Sequence, residues 1–325
     1  MIGRTKYLLM VALAFGAACG QAPVPAKERA ARPAGRALKF RVLPTPVESR
    51  SRALAFSRDG RTLLYTTETF SKVSQKTRSS MVLRDVRSGR VLKSWPVSEF
   101  KVPEAAAMIS GTLWMGYGRG FGGELQEWSA RTGRLRRVLT RGSQLDDSPL
   151  SLGAVAALAA SPDGNTLIAG VQGDSESSPF GWGKALLIDG RTGRAIRRLR
   201  GPEYSVDAVA FSSSGRTVAY CDGRGDIRLC RARSSVFLHR LSCRSSPPRA
   251  LAFRGRDELV SVSGDGSIRL WNARTGRLKR TLSTRLPAAE DTNIILSPNG
   301  HAIFTGSQYN PSTGKNIPAR IYALP

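Results

Sequence analysis

Reactive side chains are sparse in this chain of 325 residues, and their spacing limits the chemistry they could do. His239 and His301 are its only histidines and fall in separate stretches of strand-like sequence. A triad or a metal site needs a histidine backed by a second group or by further ligands, and neither has such neighbours. Cys221, Cys230 and Cys243 are odd in number, and their spacing fits neither a zinc site nor a haem attachment. They read as buried thiols, with any disulfide pairing left open. Asp222-Gly-Arg-Gly-Asp226 could cradle calcium, but Arg224 inside the loop opposes a cation. Asp is also an ordinary choice in turns. Gly118-Arg-Gly-Phe-Gly-Gly123 satisfies a dinucleotide fingerprint, which requires a strand before it and a helix after it. The strand pattern Glu124–Trp128 follows instead, so the segment reads as a flexible loop. No acids, histidines or ligands converge, and the expectation is a protein without cofactor, metal or catalytic set.

Three further stretches place aromatic rings beside cations. They hold Phe70 with Lys72, Lys76 and Arg78; Arg119 with Phe121; and Phe180 with Trp182 and Lys184. Such groups raised on glycine-rich loops make a plausible binding patch. The competing reading folds each ring back as a lid over its own sheet.

The elements that carry these stretches follow from two recurring signals. The first is an apolar strand, a tight turn and a second apolar strand, as in Ala53–Gly60, Leu158–Gly164, Val209–Gly215 and Ile294–Gly300. Proline at the second turn position, glycine at the fourth and Asp or Asn between them suit a type I turn. The second signal is Arg-Ser/Thr-Gly-Arg at 87–90, 131–134, 191–194 and 274–277, set between strands of period two. Alternation around a glycine-bearing turn is a hairpin. The signals alternate, so each unit is four strands of about 42 residues, with one degenerate copy around Arg231–Ser235. A unit of this size cannot bury both faces alone, and radial packing of units solves that problem. The expected fold is all-β: a single β-propeller over 38–325 of about six four-stranded blades, near 47–97, 98–141, 142–200, 201–243, 244–284 and 285–325. The long third unit leaves seven possible. The last unit stops at its third strand, Ala319–Ala323, so the orphan strand Leu38–Leu43 is expected to supply its fourth and close the ring.

These residues resemble the WD-repeat family. The best unit, 250–283, contains Leu259-Val-Ser-Val-Ser-Gly-Asp-Gly-Ser-Ile-Arg-Leu-Trp271. The resemblance implies that Asp265 and Trp271 help to staple the blade and that Trp128 holds the matching place in the second unit. Asn272 stands where the family has Asp, Cys230 where it has Trp, and no unit offers a Gly-His pair. The family's hydrogen-bond network is therefore expected to be largely absent. By the same resemblance, the connections between second and third strands emerge on the face often used for partners. Those of units one to three, which carry the aromatics, are long; those of units four and five are tight.

The first 37 residues belong to no blade. Arg4 and Lys6 precede an apolar run, Tyr7–Phe15, and then Gly16-Ala-Ala-Cys19. That order reads as a secretory signal, residues 1–18, too short to span a bilayer. The sequence before Cys19 resembles the lipobox of bacterial lipoproteins, which implies acylation of Cys19 and a membrane anchor. The alternative is ordinary cleavage nearby. Residues 19–37, rich in Pro and Ala, read as a tether. The formal charge of +26 favours anionic partners, although arginines spread over solvated strands would give the same total. Together these features describe an exported, non-enzymatic binding scaffold for a protein, peptide or anionic polysaccharide of the envelope, with nucleic acid disfavoured by compartment. The alternatives are a propeller enzyme and an electrostatic binder of anionic lipid.

Overall fold

The computed structural model describes residues 38–42, 49–71, 76–97, 102–118, 123–141, 154–172, 183–199, 205–243, 246–282, 294–310 and 315–324. Strands dominate, and no α-helix occurs among the described residues. Gly35–Pro325 forms one compact unit.

Twenty-four of the strands make six antiparallel sheets of four. Blade 1 holds β2 (Ser49–Phe56), β3 (Thr62–Ser71), β4 (Lys76–Asp85) and β5 (Val91–Val97). Blade 2 holds β6 (Ala105–Ile109), β7 (Thr112–Tyr117), β8 (Glu124–Ser129) and β9 (Leu135–Arg141). Blade 3 is β10 (Ala154–Ala160), β11 (Thr166–Gln172), β12 (Lys184–Asp189) and β13 (Ala195–Leu199). Blade 4 is β14 (Val206–Phe211), β15 (Thr217–Asp222), β16 (Asp226–Arg231) and β17 (Phe237–Ser242). Blade 5 is β18 (Pro248–Arg254), β19 (Glu258–Ser263), β20 (Ile268–Asn272) and β21 (Arg277–Leu282). Blade 6 combines β22 (Ile294–Leu296), β23 (Ala302–Thr305), β26 (Arg320–Ala323) and, from the other end of the chain, β1 (Phe40–Val42). A separate hairpin, β24 (Gln308–Asn310) and β25 (Lys315–Ile317), interrupts blade 6.

The first strands touch in the cycle β2, β6, β10, β14, β18, β22 and β2 again. The fold is a six-bladed β-propeller. Six blades, not seven, close the ring. The closing strand expected at 38–43 is β1, paired through Phe40–Tyr322, Arg41–Ile321 and Val42–Arg320.

Burial explains the strand compositions. Second strands are sandwiched by neighbouring blades on both faces, so β11, β15 and β19 are buried almost end to end and mostly apolar in their middles, with Ser261 the buried polar exception in β19. Fourth strands form the perimeter, and β21, Arg-Leu-Lys-Arg-Thr-Leu, is exposed over nearly its whole length. Core clusters span blade boundaries: Leu125 and Trp114 of blade 2 pack with Leu167 and Leu186 of blade 3. Each blade thus completes its neighbour's core, as expected of units too thin to stand alone.

Serine does much of the turn chemistry. In the first signal, Ser161 Oγ donates to Asp163 Oδ1 at 2.5 Å and accepts from Thr166 N at 2.9 Å, while Gly164 N donates to Ser161 O at 2.8 Å. The same pattern recurs at Ser57 and Ser297, and at Ser212 with Ser214 in place of the acid. Blade 2 instead turns in two residues, Ser110 (φ 48°) and Gly111 (φ 78°), as a type I′ hairpin requires.

In the second signal, the last residue of the third strand caps its own turn. Hydrogen bonds from Ser88 hold the Asp85 carboxyl below its ordinary value, and those from Thr192 do the same for Asp189. Asn272, which departs from the family residue, performs this task equally: its Oδ1 accepts from Arg274 N and Thr275 N, each at 3.0 Å. Three of these turns are hydrogen-bonded by the fourth strand of the preceding blade. His239 bonds the Arg274 carbonyl at 2.8 Å, Trp95 donates to that of Thr132 at 3.4 Å, and Arg41 of β1 donates to those of Arg87 and Ser88. At Gly133 a side chain would overlap the Trp95 indole, with Cβ only 1.3 Å from Nε1.

Candidate interaction faces

Antiparallel blades give the ring two faces. One, the turn face, carries the short turns of both signals. The other, the loop face, carries the connections between second and third strands.

The aromatic-cationic stretches belong to the loop face, but not all are loops. Phe70 lies within β3, its backbone opposite Thr77. The expected long loop of blade 1 is mostly a hairpin, in which β3 and β4 pair over ten rungs from Thr62–Asp85 to Ser71–Lys76. Its Thr-rich stretch Thr66-Thr-Glu-Thr69 favours strand and was the signal for that extension. Arg119, Phe121, Phe180 and Trp182 lie outside the described residues, as does Cys19. Their loops are rooted by Tyr117–Glu124 in blade 2 and Val171–Lys184 in blade 3, so Lys184 opens β12 half-buried.

The sequence reading missed one member of this face. In blade 6, β24 and β25 pair through Gln308–Ile317, Tyr309–Asn316 and Asn310–Lys315. Short strand patterns on either side of Pro311-Ser-Thr-Gly314 carried that information. The excursion begins against blade 1, where Ser51 N donates to Ser307 O at 3.2 Å and Ser307 N to Ser51 Oγ at 2.7 Å. Blades 6, 1, 2 and 3, consecutive around the ring, therefore carry the elaborate connections, and blades 4 and 5 carry tight ones.

The tight connections sit on charged side chains sunk into the loop face. Asp222 accepts from Arg224 N and Asp226 N, each at 3.2 Å, and faces Arg228 Nη2 at 3.7 Å. Burial still pushes its carboxyl above the ordinary value. Asp226 pairs with Arg240. Asp207 faces Arg249 at 3.7 Å, and burial raises its carboxyl too, opposed by Ser205, Arg249 and Gln172. These aspartates are committed to backbone amides and guanidiniums, and no group of three metal-binding side chains gathers among the described residues. His239 and His301 sit in blades 4 and 6. Cys221, Cys230 and Cys243 are free and buried, and desolvation raises all three thiols.

Asp265 accepts from Ser267 N at 2.9 Å within its own turn. Trp271 and Trp128 hold the same place on their third strands, opposite Leu259 and Leu113, yet bond differently. Trp271 Nε1 donates across to Ser261 Oγ on β19 at 2.9 Å. That is one strand-to-strand bond in a blade where such a network was expected to be thin. In blade 2 the residue matching Ser261 is Met115, a poor acceptor, and Trp128 Nε1 turns along its own strand to Gln126 Oε1 at 2.7 Å. In blade 4, Cys230 meets Tyr220 OH at 3.5 Å.

Residues 235–272 match the family model described as WD domain, G-beta repeat. No curated protein matches the sequence. Among solved structures, the chain is similar to one from "Crystal Structure of Mitotic Checkpoint Complex", with 14% identity and a TM-score of 0.56. That match covers 98% of this chain and 99% of the other. At this identity the likeness concerns the fold.

Proposed function

We propose that this propeller is a non-enzymatic interaction scaffold that holds a protein or peptide partner on its loop face. The observation that carries the reading is the asymmetry of that face. Four consecutive blades extend their second-to-third-strand connections, and the other two keep them tight. Elaboration confined to one arc is what an extended partner needs, because the sheets below hold the connections at fixed spacing. Aromatic residues beside cations within that arc, at Phe70, Phe121, Phe180 and Trp182, supply anchoring chemistry. An anionic polysaccharide of the envelope would use the same cations.

The place of action is part of the proposal. Residues 1–18 read as an export signal, Cys19 as an acylated anchor and 19–37 as a tether, which would hang the ring from a membrane face. A fatty-acid label carried by the natural chain and lost in Cys19→Ala supports the anchor; no label in either ends it. For the scaffold, a photo-crosslinking residue is placed at 121 or 182, and a control at 224 in the tight connection of blade 4. Adducts of one discrete species from 121 and 182 but not from 224 are expected. Equal yields at all three positions would remove the arc from the site.

A further inference from the structure

We propose that the turn face is a docking surface for an anionic lipid bilayer. It would be a second interaction surface, opposite the loop face and independent of whatever binds there.

The first observation is positional. The residue paired with the next-to-last position of each third strand is the first or second residue of the perimeter strand of its blade. In chain order around the ring these residues are Phe40, Val91, Leu135, Ala195, Phe237 and Leu278. Five of the six are large apolar side chains 44–54% exposed, and in blade 3 the next residue, Ile196, is 51% exposed. The exposed large hydrophobic residues found among the described residues lie on perimeter strands, except Val236, which directly precedes β17. All of them but Val42 stand at or beside the turn end of their strands, so they form a crown around the edge of one face.

The second observation is charge. Each of the five outer hairpin turns carries two exposed arginines, as at Arg131 and Arg134 or Arg274 and Arg277. The aspartates of the same turns, Asp85 and Asp189, are occupied by their own turn amides and hydroxyls. Ten arginines spaced along the sequence, two from each of these turns, are thus brought by the fold onto one face, beside the apolar crown. Between blades 1 and 2 that edge opens into a cleft of ≈ 390 Å³, lined by Leu83, Leu92, Met108 and Ala130 together with Arg58 and Arg131.

Guanidiniums around aliphatic groups match the chemistry of a headgroup layer, where phosphates lie above acyl chains. A nucleic acid or sulfated polysaccharide would satisfy the arginines but has no use for Leu135, Ile196 and Leu278. A flat ring of six contacts also suits a plane better than a rod. The chain itself enters the propeller at this end, since Lys39 O accepts from Ala323 N where β1 begins.

The test uses the full chain carrying Cys19→Ala, so that no acyl group contributes. Flotation is measured with vesicles of phosphatidylcholine alone and of phosphatidylcholine mixed with phosphatidylglycerol. Binding is expected only to the mixed vesicles. Replacing Arg131, Arg134, Arg274 and Arg277 by Gln should weaken it at least tenfold, because each cation near such a surface contributes several-fold. Leu135→Ser/Ile196→Ser/Leu278→Ser should remove the part that survives raised salt. All these positions are exposed, and an unchanged melting temperature shows that the variants fold. No binding to mixed vesicles overturns the proposal. So does binding that the serine variant retains in full and dextran sulfate abolishes, which would assign the face to soluble polyanions.

Discussion

At the residue scale, one repeated position shows how far each blade is held together by its own means. The strand-ending residue of the third strand is Trp271 in blade 5 and Trp128 in blade 2, and only the first reaches an acceptor on the neighbouring strand. Trp271→Phe leaves the fully buried Ser261 Oγ without its donor, at a cost of about 1–3 kcal/mol. Trp128→Phe should cost less, because that indole is only half-buried and water can replace it. Urea unfolding of the two variants gives the comparison. Asp207 yields a pH signature. Burial raises its carboxyl above the ordinary carboxylate value, so its charge opposes folding at neutral pH and the penalty is relieved as pH falls through the raised value. Asp207→Asn should therefore be more stable than the natural chain at neutral pH, and the difference should shrink on acidification toward 3.8. Urea midpoints across that window measure it. The sequence exposed the tryptophans but not their partners, because the deciding residues, Ser261 and Met115, are set by register with another strand.

At the scale of elements, the turns were the readable part. Ser-Pro-Asp-Gly and Arg-Thr-Gly-Arg declare hairpins because few other residues tolerate those dihedrals, and their alternation gave the number and order of the blades, with first strands beginning up to about a dozen residues after the expected unit starts. Connections were less readable. Phe70, Lys76 and Arg78 read as parts of a loop although they continue β3 and β4, since such a hairpin extension has no apolar period to announce it. The hairpin β24–β25 was missed for the same reason: its strands are three residues each. The closing strand was legible by subtraction, as a blade lacking its fourth strand and a strand lacking a blade. Deleting 38–42 bares the edge of β26 and the Phe40–Tyr322 ring contact at 5.5 Å. The thermal midpoint should fall by roughly 5–10 °C, several kcal/mol at about 2–4 °C each for a large domain. Scanning calorimetry decides it, and an unchanged midpoint would mean the ring holds without β1.

At the scale of the whole molecule, charge is the dominant unbalanced quantity. A chain of formal charge +26 repels itself when compact, and the ion pairs among the described residues, such as Lys279–Glu258 at 2.7 Å, engage few of its cations. Added sodium chloride shortens the Debye length from about 10 Å at 0.1 M toward about 3 Å at 1 M. The thermal midpoint should rise over that range, and a falling midpoint would mean that attractive pairs outweigh the repulsion. The pairing of β1 with β26 has a consequence in time as well. Phe40 leaves the ribosome long before Tyr322, and at about 5–20 residues per second its partner strand follows after tens of seconds. The earliest-made strand is thus the last to be placed. A polypeptide that stops before Arg320 can pair the strands of its early blades but leaves Phe40–Val42 without the strand that closes the ring.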